Sequence, residues 1–341
     1  MRLKTVLLGL VGLVVLLLLG GITAIGWEVV LGPNARPVTD RTFEVTDARL
    51  ARGQYLVEGP THCLHCHTTH DLSVPTYPID RARAGAGWEL PTPELGRVVA
   101  PNITSDVETG LGGWTDDEIA RAIQEGVSRD GTALFPVMPY PAFAQLDDED
   151  LASIVVYIRS LAPVRQALPR TELIFPLKHI VNTIPEPVTE PRPSHPTGTA
   201  VERGEYLATI ATCAECHTPV DEQGGELPGM RLSGGGLFRD PGQTMAPVFS
   251  SNITPDASGL AHYDEAFFIE VIRTGRVTGR TLTHIMPFEF FRNMTDDDLR
   301  DLWAYLEAQP PVRHRVSNTD SPAMCAVCNQ EHGLGELNRA Q

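Results

Sequence analysis

The sequence has 341 residues, of which 42% are hydrophobic and 21% charged, and its formal net charge is −16. That length allows two or three small domains, and 28 prolines with 30 glycines point to extensive loops without wholesale disorder. So acidic a balance argues against nucleic acid as a partner; it suits either docking to a basic protein surface or plain solubility.

The first element is apolar. Val6 to Ile25 holds no charged residue and is rich in Leu, Val and Gly. As a helix rising about 1.5 Å per residue it would match a hydrocarbon core of about 30 Å. Arg2 and Lys4 precede it. Residues 1–26 are therefore expected to be an uncleaved single-pass anchor, with the N-terminus inside and the rest of the chain in the periplasm. A cleaved signal peptide is the alternative, with Ala24-Ile25-Gly26 as a weak cleavage site. Residues 27–47 read as a linker from anchor to first domain.

All six cysteines fall in C-x-x-C pairs. The first pair reads Cys63-Leu64-His65-Cys66-His67 and the second Cys213-Ala214-Glu215-Cys216-His217. Both are C-x-x-C-H, the attachment sequence for c-type haem. Two thiols can reach the two vinyl groups of one porphyrin, and the next residue places an imidazole nitrogen on the iron. Two matches in repeated surroundings predict two covalently bound haems, with Cys63, Cys66, His67, Cys213, Cys216 and His217 as their attachment and proximal residues. His62, His65 and His70 crowd the first motif and read as local or surface residues.

The surroundings recur a domain-length apart. Arg52-Gly53-Gln54-Tyr55-Leu56 matches Arg203-Gly204-Glu205-Tyr206-Leu207, and Asn102-Ile103-Thr104 matches Asn252-Ile253-Thr254. Met138-Pro139 matches Met286-Pro287, and Asp148-Glu149-Asp150-Leu151 matches Asp296-Asp297-Asp298-Leu299. The period is that of a duplicated domain, not of a solenoid. Within each copy the pattern is helical. Trp114–Gly126 and Tyr263–Gly275 read as middle helices. Asp147–Leu161 opens with acidic residues and places Leu151, Ile154, Val155 and Ile158 at helical spacing. Its partner carries Leu299, Leu302, Trp303 and Leu306, with Thr295 as N-cap. No run of alternating strands is seen, and the expected fold class is all-α. The domains are expected at residues 48–167 and 200–316, joined by a Pro-rich linker over 168–199.

A haem held by histidine has a sixth iron position, and methionine there raises the potential and suits electron transfer. Met138 is the only methionine of the first domain. In the second, the repeat selects Met286; His284, two residues earlier, is the competitor, and its counterpart Pro136 gives it no support. The remaining histidines, including His314 and His332, read as surface or structural. Residues 317–341 form a tail whose Cys325-Ala326-Val327-Cys328-Asn329 lacks the histidine of a haem motif. A disulfide is the plainest reading in an oxidising compartment. A zinc site with His332 is the next, lacking an evident fourth ligand, and a decayed haem site is the last.

With the two C-x-x-C-H motifs, both Asn-Ile-Thr segments, Gly113-Trp114-Thr115-Asp116-Asp117-Glu118 and Met138-Pro139-Tyr140 on view, the chain resembles the c-type cytochromes. More closely, it resembles the multihaem cytochrome subunits of periplasmic dehydrogenases for alcohols, gluconate and related substrates. The resemblance covers residues 48–165 and 200–312. It implies two tandem cytochrome c domains, and it places Met138 and Met286 as distal ligands. Members of that group often carry three haems; here two motifs are complete. The expected role is electron transfer rather than catalysis, since no separate catalytic motif is present. Expected partners are the membrane and redox proteins such as a periplasmic dehydrogenase or a terminal oxidase. The rival from the enzyme class is a dihaem peroxidase with one open haem site, against which the two Met-Pro segments argue. A haem-based sensor ranks below both, since no signalling domain is seen.

Overall fold

A computed structural model describes residues 20, 26–193, 198–222, 224–241 and 245–333. Its frame is two pairs of crossed helices. In the first copy α1 (Asp47–Val57) precedes a short helix α2 (Cys63–Cys66), a middle helix α3 (Asp116–Glu125) and a last helix α4 (Asp148–Ser160). The second copy repeats the order with α5 (Ala200–Ile210), α6 (Cys213–His217), α7 (Glu265–Thr274) and α8 (Asp296–Glu307). In each copy the first and last helices cross, α1 on α4 and α5 on α8.

Local chemistry sets these ends. Thr46, Asp147, Thr199 and Thr295 accept backbone N–H groups at the starts of α1, α4, α5 and α8, satisfying donors that a helix leaves open. Thr115 and Glu118 close a reciprocal capping box on α3. Gly126 and Gly275 end the two middle helices in the left-handed region, at φ 68° and 64°, where glycine carries no Cβ penalty.

The crossings are made possible by one glycine each. A Cβ on Gly53 would overlap the Ser153 carbonyl of α4 and press on Tyr157. A Cβ on Gly204 would overlap the Asp301 carbonyl of α8 and press on Tyr305. Around these contacts Leu56, Leu151, Ile154, Val155 and Ile158 are buried in the first copy, and Leu207, Ile210, Leu299, Leu302, Trp303 and Leu306 in the second. All belong to one continuous apolar core. Each such side chain contributes about 1.5–3 kcal/mol by leaving water.

The copies meet through an exchange. The Tyr55 hydroxyl of the first donates to Asp298 of the second, and the Tyr206 hydroxyl of the second donates to Asp150 of the first at 2.7 Å. Arg81 adds an ion pair to Glu289 at 2.7 Å. The expected linkers are laid against these copies. Arg36 pairs with the buried carboxylates of Asp117 (2.7 Å) and Glu125 (2.6 Å), and the Arg192 N–H donates to the Asp148 carboxylate while its carbonyl accepts the Asp148 N–H.

Two expectations are corrected. The fold is not all-α: among the described residues short antiparallel strands accompany the helices. Strands β1 (Trp88–Leu90), β2 (Gly96–Ala100) and β3 (Glu172–Leu173) form one sheet. The hairpins β4–β5 (Leu237–Asp240, Ala246–Phe249), β6–β7 (Arg276–Val277, Arg280–Thr281) and β8–β9 (Ala323–Met324, Glu331–His332) complete the set among the described residues. These strands are two to five residues long, too short for a period-two pattern to stand out of loop sequence. The single-pass membrane topology is also corrected: no helix among the described residues is long and apolar enough to cross a membrane. The longest, α4, has 13 residues, about 20 Å against the roughly 30 Å required. The apolar run over residues 6–25 that carried the expectation lies, Gly20 apart, outside the described residues.

Gly53→Ala and Gly204→Ala should each destabilise the protein by about 3 kcal/mol through overpacking. Helix propensity alone would stabilise by up to about 1 kcal/mol. The sign of the shift in a denaturant titration therefore decides whether the close crossing governs these positions.

Candidate functional site

The two C-x-x-C-H motifs fold in the same way. Each follows its first helix after a tight turn, and the residue before the first cysteine sits in the left-handed region: His62 at φ 38° and Thr212 at φ 57°. The turn sets α2 and α6 at an angle to α1 and α5. It brings two thiols and one imidazole to one side of a single helical turn. Cys63 and Cys213 pack against the main apolar core, as do Met138 and Met286.

The imidazoles are oriented alike. His67 Nδ1 lies 2.7 Å from the Pro101 carbonyl and His217 Nδ1 lies 2.7 Å from the Ser251 carbonyl. A carbonyl oxygen only accepts, so Nδ1 carries the proton and Nε2 presents a lone pair. That is the arrangement in which a histidine serves a metal, with its second nitrogen tied to the protein. Burial lowers the proton affinity of both rings, against the carbonyl contact that raises it, and so favours the neutral ligand form.

The carbonyls are themselves held by the Asn-Ile-Thr segments. Asn102 Oδ1 accepts from the Thr104 N–H (2.9 Å) and hydroxyl (2.7 Å), and its Nδ2 donates to the Val164 carbonyl at 2.7 Å. Asn252 makes the same bonds to Thr254 (2.9 and 2.8 Å) and to the Val312 carbonyl (2.8 Å). Each asparagine directly follows the residue whose carbonyl receives the histidine. Sequence reading found these segments as repeats and missed this task. The signal was the placement of a buried-type polar triplet at the same point of both copies.

None of the six cysteines is in a disulfide. Burial pushes Cys63 and Cys216 up to about 11 and Cys213 to about 12. Cys66 is pushed up to about 12 by burial and then by the neighbouring Cys63 and Cys216 thiols. The first motif lies against the second copy through its histidine rings. His65 meets Phe290 with ring centroids 5.8 Å apart, and His62 meets Phe291 at 5.3 Å.

Met138 and Met286 are half-buried in matching turns: the Tyr140 N–H donates to the Met138 carbonyl at 2.8 Å and the Phe288 N–H to the Met286 carbonyl at 2.7 Å. Met294 is buried in the core, and Met230 packs with Cys325 and Cys328. His284 sits edge-on to Tyr77 and Phe288, with centroids 6.3 and 6.1 Å apart. His62 and His70 are occupied locally, His62 by the Pro60 carbonyl and His70 by the Tyr77 and His65 carbonyls. The donor set in each copy fits covalent haem. The buried Trp88 Nε1 and Tyr140 hydroxyl, which have no hydrogen-bond partner among the described residues, suit a polar group bound beside them.

Residues 50–162 match the cytochrome c family. The chain carries a cytochrome c domain. Such a domain implies covalent haem c, for which the first motif lies inside the matched stretch. Relatives extend the likeness beyond this domain. The cytochrome c subunit of a quinone alcohol dehydrogenase from Gluconobacter oxydans is 27% identical over 84% of this chain and 61% of its own length. The cytochrome c subunit of gluconate 2-dehydrogenase from Pantoea cypripedii is 28% identical over 78% of this chain and 60% of its own length. A diheme cytochrome c-type protein of Cereibacter sphaeroides is 28% identical over 73% of this chain and 82% of its own length. The chain thus spans about three fifths of the two dehydrogenase subunits.

Asn102→Ala would leave the buried Thr104 hydroxyl and the Val164 carbonyl short of a partner. It should cost about 2–3 kcal/mol in denaturant unfolding, and Asn252→Ala the same. A loss below about 0.5 kcal/mol, the size of an ordinary surface change, would show that the asparagine does not hold the loop.

Proposed function

We propose that this chain is a dihaem electron-transfer protein serving a dehydrogenase. The observation that carries the reading is the pairing of the two motifs. Each presents an imidazole already committed through Nδ1 to a backbone carbonyl, and His65 and His62 of the first motif lie against Phe290 and Phe291 of the second copy. One-electron chemistry is what haem iron supplies when bound. The chain's residues do the rest. In this reading Cys63 and Cys66 hold the first haem and His67 with Met138 face its iron. Cys213 and Cys216 hold the second, with His217 and Met286. The domains correspond to residues 48–167 and 200–316.

The apolar core around these residues excludes water, and Met-His ligation suits a carrier that returns unchanged from each cycle. Ring contacts of His284 with Tyr77 and Phe288 favour Met286 over His284. Support for a dehydrogenase partner comes from relatives described as dehydrogenase cytochrome subunits, and the formal charge of −16 fits docking on a basic surface.

A pyridine haemochrome assay should return two haems per chain, and one in Cys63→Ala/Cys66→Ala. A value of one or three in the unaltered chain overturns the dihaem reading. Met138→Ala and Met286→Ala should each convert one haem from inert to carbon monoxide into one that binds it, and lower its potential. Prompt carbon monoxide binding by the unaltered chain overturns the carrier reading.

A further inference from the structure

Four side chains outside the haem motifs converge at the C-terminal end of the second copy. His314 follows α8, Cys325 and Cys328 occupy the turn between β8 and β9, and His332 ends β9. The ligand-type atoms of all four lie within 4.8 Å of one another, and all four residues are buried. A tetrahedral zinc with bonds of about 2.0 Å to nitrogen and 2.3 Å to sulfur spaces its ligand atoms about 3.3–3.8 Å apart, so the cluster is already at the right scale.

The hydrogen bonds fix what these rings present. His314 Nδ1 is 2.9 Å from the Ser233 carbonyl, and His332 Nδ1 is 3.0 Å from the Gly333 carbonyl. Both Nδ1 atoms therefore carry protons, and both Nε2 atoms carry lone pairs. Yet the two Nε2 atoms face each other at 3.0 Å, and His332 Nε2 is 3.2 Å from Cys328 Sγ. Two lone pairs cannot satisfy each other. A cation between the four atoms resolves the conflict. The turn is shaped for sulfur ligands as well. The Val327 N–H points at Cys325 Sγ at 3.4 Å, and Asn329 in the left-handed region (φ 56°) reverses the chain between Cys328 and His332.

We propose that His314, Cys325, Cys328 and His332 bind one structural zinc ion that staples the tail to the second copy. Four protein ligands in a buried site leave no open position, the mark of a structural rather than a catalytic zinc, and two thiolates with two imidazoles select zinc over the hard cations. The staple has a definite target. Ser233, which receives His314, precedes Gly234, whose N–H donates to the His217 carbonyl at 2.6 Å. The metal would thus brace the loop behind the second histidine motif. His314 is the fourth ligand that the tail's own spacing could not supply.

Zinc K-edge absorption and metal analysis on the full-length haem-loaded protein test this, because neither reads haem iron. The expected result is one zinc per chain with two sulfur and two nitrogen neighbours, lost in Cys325→Ser/Cys328→Ser while haem content stays unchanged. Stripping with a strong chelator should expose residues 317–333 to limited proteolysis, and zinc should restore protection. The proposal is overturned by a Cys325–Cys328 disulfide in non-reduced peptide maps of the unaltered chain. It is equally overturned by absence of zinc, by another metal in its place, or by full zinc retention in the double variant. The peptide map and the absorption edge of the unaltered chain decide even where the variant does not fold.

Discussion

The structure depends on how closely two helices can approach. In each copy the first and last helices touch backbone to side-chain-free backbone, at Gly53 against Ser153 and at Gly204 against Asp301. Close packing of that kind tolerates no added atom. It also sets everything downstream. The C-x-x-C-H turn leaves the end of the first helix at a fixed angle, so the depth of the crossing determines where the thiols and the imidazole stand relative to the core. The last helix buries Leu151, Ile154 and Val155, or Leu299, Leu302 and Leu306, in the shared core.

A second level of control runs through backbone carbonyls. Among the described residues the two motif histidines are hydrogen-bonded by backbone carbonyls and not by other side chains. Each is aimed by a carbonyl in the loop, and an asparagine with its threonine partner makes the loop rigid. The proton on Nδ1, and hence the availability of Nε2, is therefore a property of loop conformation. The tail cluster uses the same device with the Ser233 and Gly333 carbonyls, so one rule prepares imidazoles at three places in the molecule.

The helical frame was legible because it rests on local signals: Thr295 as a cap, acidic first turns, and apolar residues at helical spacing in α4 and α8. The motifs were legible because covalent chemistry fixes their spacing. The short strands were not, since a pair such as Glu172–Leu173 with Gly96–Arg97 is defined by a partner far away in the chain and not by its own composition. The same holds for His314. Nothing near it in sequence marks it as a ligand, and only the fold brings it to Cys325 and Cys328. Prolines mark extension over residues 185–196, whereas the strapping of residue 36 depends on distant partners: Arg36 pairs with Asp117 and Glu125.

The Tyr55–Asp298 and Tyr206–Asp150 pairs have the form of an isologous contact, in which each half gives the other the same donor and takes the same acceptor. Two separate molecules meeting this way would pay the full loss of translational and rotational freedom. Joined in one chain they meet at a high effective concentration instead. The tyrosine–carboxylate and arginine–glutamate contacts, together with the apolar core the copies share, can then set the separation of the two halves. The chain behaves as a dimer made permanent by its own connectivity, and its internal geometry does not change with dilution.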